Sequence, residues 1–304
     1  MSMSCFEVLD PCFSRLFVST ARLDLLYTGC RWAEGPAYFP AGRYLVWSDI
    51  PNDRMLRYDE CSGMVSVFRH PCGHSNGNTV DRAGRLVTCE HGGRRVSRTE
   101  VDGTVVSLVD SFNGRRLNSP NDIVERSDGS LWFTDPVYGV ESDYMGVKGE
   151  IEQPGNFVYR IDPRDGRLKV VADDFVQPNG LAFSPDESLL YIVDTGRSHR
   201  VDGPQHIRKF RVGDDGRLKF LGLFATSTAG FFDGLRVDDA GRIWTSAGDG
   251  VHCYDTDGTL LGKIKVPEVV ANVCFGGPRR NYLYICGTTS LYGIRLPVQG
   301  VKTF

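Results

Sequence analysis

One pattern recurs six times along the chain and limits what it can fold into: a turn followed by a short apolar strand. These runs are "AGRYLVWSD" from Ala41, "AGRLVTCE" from Ala83, "DGSLWFTD" from Asp128, "DESLLYIVD" from Asp186, "AGRIWTSA" from Ala240 and "RRNYLYICG" from Arg279. Six further strand-like runs alternate with them, beginning at Arg54, Arg94, Phe157, Ile207, Gly250 and Ser290. No long segment carries apolar residues at helical spacing, so the sequence predicts an all-β protein.

The strand pairs also predict an architecture. Each pair is preceded by one strand and usually followed by another, which gives six four-stranded units, typical of a six-bladed β-propeller. We expect one domain over residues 1–304. A pair of β-sandwiches is the alternative, but it does not predict one repeated strand pair along the whole length. The last unit is short by a strand, and we expect the N-terminal "ARLDLLYTG", residues 21–29, to supply it and close the ring.

Aligning the units on one apolar residue of the second strand reveals one polar residue ten or eleven positions earlier in each. The aligned apolar residues are Leu45, Leu86, Leu131, Leu190, Ile243 and Leu283. The six polar residues, called the polar ring below, are Glu34, Asn76, Asn121, Asn179, Asp233 and Asn272. Taken singly, an Asn or Asp before a strand is usually a turn residue. In a propeller, however, the first strand of each blade lines the central channel, so six equivalent positions converge at one level. Six polar residues at that level favour a functional site.

The ring chemistry indicates a cation. Two carboxylates and four amides supply only oxygen donors and a charge of −2, which suits Ca²⁺ better than Zn²⁺, with Zn²⁺, Mg²⁺ and Mn²⁺ as alternatives. Without a cation the carboxylates would repel each other. The residues two positions further along are mostly apolar and are expected to plug the channel beneath the ion, leaving a shallow pocket. They are Pro36, Asn78, Ile123, Leu181, Leu235 and Cys274.

Four motifs carry a family resemblance. The motifs "EGPAYF" with Glu34, "NSPNDIV" with Asn121, "QPNGLAFSPD" with Asn179 and "FFDGLRVDDAGRIW" with Asp233 resemble the gluconolactonase/regucalcin (senescence marker protein) family. The resemblance extends from about Trp32 to Leu296.

The resemblance implies a divalent-metal-dependent hydrolase that opens a sugar lactone to the aldonic acid. It implies Glu34, Asn179 and Asp233 as metal ligands, Asn121 as a metal or substrate contact, and Asp233 also as the general base. Some members carry an arginine two residues before the asparagine equated with Asn121, where this chain has Ser119. Their recognition of sugar hydroxyls therefore does not carry over at that position.

Further residues are candidates for contacts with the substrate. We expect Asn76, Asn121 and Asn272 of the ring to face it, and His91, at the end of a second strand, to be an acid or a substrate contact. A solvent-facing loop histidine is the favoured alternative for His91. Arg94 and Arg95 are candidates for binding a carboxylate product, but an exposed strand start is favoured for both. The insertion at residues 138–156 is either a lid over the pocket or a mobile surface loop.

Composition argues against several classes of protein, namely nucleic-acid-binding, membrane-binding and exported proteins. The net charge is −3 and both signs are interspersed, so the sequence does not indicate a basic surface for nucleic acid or an anionic membrane. The N-terminus lacks an apolar signal core, and nine cysteines without a CxxC pair suit a reducing compartment, so we expect a cytoplasmic protein. Two functional alternatives stay open: an organophosphatase-like propeller hydrolase, and a non-catalytic binding module with a structural Ca²⁺. The sequence indicates no particular protein partner.

Overall fold

The computed structural model describes residues 5–302, and most of its strands form six sheets of four or five strands, which follow one another along the chain as blades 1 to 6. The strands of blades 1 and 2 are β3 (Ala33–Phe39), β4 (Tyr44–Asp49), β5 (Arg54–Asp59), β6 (Val65–Arg69), β7 (Ser75–Val80), β8 (Leu86–Glu90), β9 (Arg95–Thr99) and β10 (Val105–Val109). Those of blades 3 and 4 are β13 (Ile123–Glu125), β14 (Leu131–Asp135), β15 (Asn156–Ile161), β16 (Leu168–Phe175), β17 (Pro178–Phe183), β18 (Leu189–Asp194), β19 (His206–Val212) and β20 (Leu218–Thr226). Those of blades 5 and 6 are β21 (Leu235–Val237), β22 (Ile243–Ala247), β23 (Gly250–Tyr254), β24 (Leu260–Lys265), β25 (Val270–Gly276), β26 (Tyr282–Gly287) and β27 (Ser290–Arg295).

The remaining elements are short. Two N-terminal strands, β1 (Phe6–Val8) and β2 (Asp24–Thr28), join existing blades, and β11 (Ser111–Phe112) pairs with β12 (Arg115–Arg116) in a small hairpin. One helix, α1 (Tyr138–Glu141), and the 3-10 helices Pro11–Arg15, Ile50–Asn52 and Gly196–Ser198 complete the described part of the chain. The all-β, six-bladed propeller predicted from the sequence is therefore confirmed.

The N-terminal strand closes the ring of blades. Strand β2 pairs antiparallel with β27, with Asp24 opposite Gly293, and becomes the outer strand of blade 6. This closure, predicted from the missing strand, is confirmed. The sequence did not predict that β1 pairs with β24 as a fifth strand of blade 5, where the nearby Phe13 packs into the core.

The hydrophobic core is divided among the junctions of the blades. Six clusters of buried side chains lie within residues 5–302, each joining two neighbouring blades. Trp47 of blade 1, for example, packs in one cluster with Tyr284 of blade 6 across the closure. Fully burying one large apolar side chain contributes about 1.5–3 kcal/mol, so each junction supplies substantial stabilisation and fixes the inner strands relative to one another.

The inner strands begin with an irregularity that positions the polar ring. The register with the second strand shifts between Glu34 and Ala37, between Ser75 and Asn78, and between Pro178 and Leu181. A β-bulge of this kind bends a strand and redirects a side chain. The glycine after the ring residue permits a close approach: a Cβ on Gly35 would collide with the backbone of Asn76. The glycine of the Glu-Gly sequence therefore allows close packing between neighbouring blades and is more than a turn residue.

Two further observations concern the compartment. All nine cysteines are free thiols. Between residues 5 and 302, no helix has both the length and the apolar character needed to cross a membrane.

Candidate active site

The structure brings the polar ring together at one mouth of the central channel. Five of its members are at least 95% buried, whereas Asp233 keeps partial contact with solvent. Glu34 accepts a hydrogen bond of 2.9 Å from Asn272 of the neighbouring blade and one of 2.5 Å from the backbone N–H of Gly35. Residues from opposite ends of the chain thus meet at the ring.

The two ring carboxylates interact unfavourably. Burial raises the pKa of Asp233 well above its usual range, and the negative charges of Glu34 and Asp122 raise it further. Burial is also the main cause of the raised pKa of Glu34, which Asn272 partly offsets. Asn179 favours the ionised form of Asp233. Two carboxylates held in this way are stabilised in their ionised forms by an added positive charge.

The donor set of the ring fits a hard divalent cation. Glu34 and Asp233 supply charge, and the amides of the ring supply neutral oxygens, a combination suited to Ca²⁺. Within residues 5–302 no cluster of three His, Cys, Asp or Glu side chains is arranged to hold a metal ion. That result agrees with the composition of the ring, because four of its six members are asparagines.

An ion pair that the sequence analysis missed crosses the channel. Arg236 of blade 5 lies 3.3 Å from Asp122 of blade 3 and donates a further hydrogen bond to the Leu235 carbonyl. Asp122 is 1% exposed, and its charge contributes to the raised pKa values of both Glu34 and Asp233. The available signal was the sequence "NDIV" of blade 3, where an aspartate replaces the glycine that follows the ring residue in four other blades.

The prediction of an apolar plug is wrong for three of its six residues. Ile123, Leu181 and Leu235 lie in the hydrophobic clusters between blades. A β-bulge between Pro178 and Leu181 interrupts the alternation in β17. Strands β13 and β21 begin only at Ile123 and Leu235, so strand alternation does not extend back to their ring residues. Pro36, Asn78 and Cys274 instead line a cavity of about 430 Å³ at the opposite mouth of the channel, together with Arg236.

The favoured interpretation of His91 as a solvent-facing loop residue is also wrong. The side chain is fully buried, and its Nε2 lies 3.1 Å from Nδ2 of Asn76. Its Nδ1 lies 2.9 Å from the carbonyl oxygen of Met145. Burial lowers the pKa of His91 to about 4, so the imidazole is neutral near pH 7. His91 therefore contacts the ring through Asn76.

Arg94 and Arg95 lie away from the ring. The favoured prediction that Arg94 is exposed at a strand start is wrong, because its side chain is buried. Its guanidinium donates to the carbonyls of Leu117 and Asn118 and pairs with Glu152 at 3.3 Å. Arg95, which is partly exposed, pairs with Glu90 at 2.7 Å. Both arginines therefore have structural partners.

Residues 136–155, called the bridging segment, connect β14 to β15 on the ring side of the propeller. Met145 bonds to His91 of blade 2, whereas the Tyr138 hydroxyl lies 3.0 Å from Ser198 Oγ of blade 4. Glu141 pairs with His199 at 2.7 Å. The segment thus spans from blade 2 to blade 4 beside the ring, and the negative charge of Asp233 contributes, after burial, to the raised pKa of Tyr138.

The structure explains how serine is accommodated at position 119. Ser119 Oγ donates to the Pro136 carbonyl at 2.6 Å and accepts from the Gly139 N–H at 2.9 Å. A Cβ on Gly139 would collide with Ser119 and His91, so α1 packs directly over this position. The space that a longer side chain would need is filled by the bridging segment.

Fold and site together define a class: six-bladed propellers with an oxygen-donor ring at one mouth of the channel. The family model described as SMP-30/Gluconolactonase/LRE-like region matches residues 32–289, and the chain belongs to this family. It is 31% identical to a gluconolactonase from Zymomonas mobilis, over 95% of this chain and 83% of that protein. It is also 31% identical to pentonolactonase XacC from Haloferax volcanii, over 85% of this chain and 82% of that protein. A solved structure of a gluconolactonase from Xanthomonas campestris superposes with a TM-score of 0.90 at 39% identity, covering 96% of this chain and 94% of that one.

Proposed function

We propose that this protein is a lactonase that opens a sugar lactone to the aldonic acid, with a divalent cation, Ca²⁺, held by Glu34, Asn121, Asn179 and Asp233. The observation that carries the proposal is the polar ring, where the charge of Glu34 acts on Asp233 among four amides at one mouth of the channel. Membership of the family and relatives named for lactone hydrolysis support the substrate class.

The cation, when bound, supplies Lewis-acid polarisation of the lactone carbonyl and stabilises the negative charge of the tetrahedral oxyanion. Asp233 takes a proton from the attacking water. Hydrogen bonding distinguishes it from the other carboxylate: Glu34 Oε2 already accepts from the Gly35 N–H and from the Asn272 amide. The Ser246 hydroxyl accepts a hydrogen bond of 2.8 Å from the backbone N–H of Asp233 and so fixes the position of Asp233.

Substrate selectivity provides the test of the proposed function. We expect purified protein with Ca²⁺ to open sugar lactones and to leave simple esters and phosphotriesters largely unchanged, when each is assayed with Mg²⁺, Ca²⁺, Mn²⁺ and Zn²⁺ in turn. A preference for phosphotriesters would instead indicate an organophosphatase. The absence of turnover with every substrate and metal would contradict the lactonase proposal and favour a binding module.

The ring also predicts a pH-dependent stability. In the ion-free protein the pKa values of Glu34 and Asp233 are higher in the folded than in the unfolded state, so the folded state binds more protons. The free energy of unfolding should therefore fall as the pH rises above the usual carboxyl range, from about 5 towards 8. Saturating Ca²⁺ should reduce this fall, because the ion stabilises the ionised carboxylates.

The measurement is denaturant unfolding across that pH range, with chelator and with Ca²⁺. Asp135 also has a pKa raised by burial, to about 7, but it contributes similarly in both conditions and cancels in the difference. Glu34→Gln should diminish the calcium-dependent difference. Identical pH profiles for the ion-free and calcium-saturated wild type would contradict a cation at the ring.

A further inference from the structure

A chain of hydrogen bonds connects the bridging segment to the polar ring. The Met145 carbonyl lies 2.9 Å from Nδ1 of His91, and Nε2 of the same imidazole lies 3.1 Å from Nδ2 of Asn76. His91 is fully buried, so water does not compete for either nitrogen. The bridging segment is thereby tied to a fixed position of the channel.

The Met145 carbonyl determines the tautomer of His91. A carbonyl oxygen only accepts hydrogen bonds, so Nδ1 must carry the proton. In a neutral imidazole Nε2 is then an acceptor, and it can bind only the NH₂ end of the Asn76 carboxamide. The low pKa of His91, about 4 as a result of burial, is consistent with a neutral ring.

This arrangement fixes the orientation of Asn76. Because its NH₂ group is bound to His91, its Oδ1 must point the other way. Oδ1 is buried and has no hydrogen-bond partner among the described residues. A buried acceptor without a partner is unfavourable, so this oxygen is suited to a ligand that brings a donor.

The contacts of Asn76 differ from those of Asn272 and Asn179, which bind the two ring carboxylates. Glu34 receives its amide contact from Asn272 of blade 6, and Asp233 receives its amide contact from Asn179 of blade 4. Asn76 belongs to blade 2, and its amide is held by His91. Its oxygen is therefore available to a hydroxyl group of the substrate.

We propose that His91 is a positioning residue that holds the Asn76 carboxamide with its oxygen towards the ring, where it accepts a hydrogen bond from a hydroxyl group of a polyhydroxylated lactone. The bridging segment sets this orientation through Met145. The substrate part of the inference rests on the lactonase function proposed above, but the hydrogen-bond arrangement does not.

The tautomer can be measured without any assay of activity. In the full-length protein labelled with ¹⁵N-histidine, we expect the His91 signals, assigned by their loss in His91→Gln, to show a neutral imidazole protonated at Nδ1 from about pH 5.5 to 8. An Nε2-protonated ring, or titration near the ordinary histidine pKa, would overturn the proposal whether or not the protein is a lactonase.

Kinetics test the substrate contact. Asn76→Ala and His91→Leu should each raise KM for a sugar lactone by about 10–100-fold, the usual scale for loss of a supporting contact. The loss in kcat/KM should be clearly smaller for δ-valerolactone, which has no hydroxyl group. The double variant should be no worse than either single variant, and His91→Gln, which keeps an acceptor for the Asn76 amide, should recover part of the loss. His206→Gln, a half-buried histidine of β19, is the matched control and should behave as wild type.

Four results would overturn the proposal. They are additive losses in the double variant, equal losses on both lactones, a shifted pH–rate profile in His91→Gln, and weakened Ca²⁺ binding in Asn76→Ala, which would make the oxygen a metal ligand. A wild type that opens neither lactone contradicts the lactonase function itself, and the NMR measurement then still decides the orientation of Asn76.

Discussion

Asp233→Asn is expected to open lactones about 10²–10⁴-fold more slowly than wild type at saturating Ca²⁺, the range typical for removal of a general base. The substitution keeps the shape of the side chain but removes the proton acceptor and one of the two ring charges. Affinity for the cation should also fall, and that defect is masked when the metal is in excess. Rates of acid release at a series of Ca²⁺ concentrations separate the two losses.

Asn179→Ala is the matched comparison. It removes a proposed neutral ligand, whose amide also favours the ionised form of Asp233, without removing the proton acceptor, so excess Ca²⁺ should restore most of the activity. If Asp233→Asn recovers as fully as Asn179→Ala, Asp233 is only a ligand. His91, considered from the sequence as an acid or a substrate contact, is a poor replacement as the base because it is buried and its Nε2 is engaged by Asn76.

Arg236→Met is expected to lower the free energy of unfolding by about 3–5 kcal/mol, the usual cost of leaving one partner of a buried ion pair alone. Asp122 would then be uncompensated in the channel, near the two ring carboxylates whose pKa values it already raises. Denaturant unfolding measures the loss directly. Because Asp122 interacts with the ring, the ion-free protein should be affected more than the calcium-saturated protein.

Two controls test whether the unpaired Asp122 causes the lower free energy of unfolding of Arg236→Met. Adding Asp122→Asn to Arg236→Met should recover most of the stability, because no buried charge remains unpaired. Arg217→Met, which removes the partner of Asp215 in an exposed ion pair, should leave stability almost unchanged. An Arg236→Met protein as stable as wild type would show that Asp122 does not depend on this arginine.

Much of the fold was predictable because each unit of the repeat has the same local pattern, a turn followed by a short apolar strand. All six aligned apolar residues lie in second strands, from Leu45 in β4 to Leu283 in β26, and the missing strand was found at the N-terminus. The fifth strand of blade 5 was not predictable in the same way. Strand β1 has three residues, and its pairing with β24 depends on tertiary packing around Phe13.

The site was predictable in position but less so in its contacts. Equivalent positions on six inner strands had to converge, so the polar ring followed from the repeat. The orientation of the neighbouring residues does not follow simple alternation: a β-bulge precedes Leu181 in β17, and Leu235 is the first residue of β21, so both pack between blades. The burial of His91 and Arg94 depends on the bridging segment, whose path the sequence left open between a lid and a mobile loop.

The central claim is that one divalent cation at the polar ring is required for lactone hydrolysis. The most direct measurement is a titration of chelator-treated protein with Ca²⁺ while the opening of glucono-1,5-lactone is followed by acid release above the spontaneous rate. We predict no enzymatic rate in the ion-free protein and full activity when one equivalent is bound, with Glu34→Gln requiring more Ca²⁺. Full activity in the ion-free protein would contradict the account.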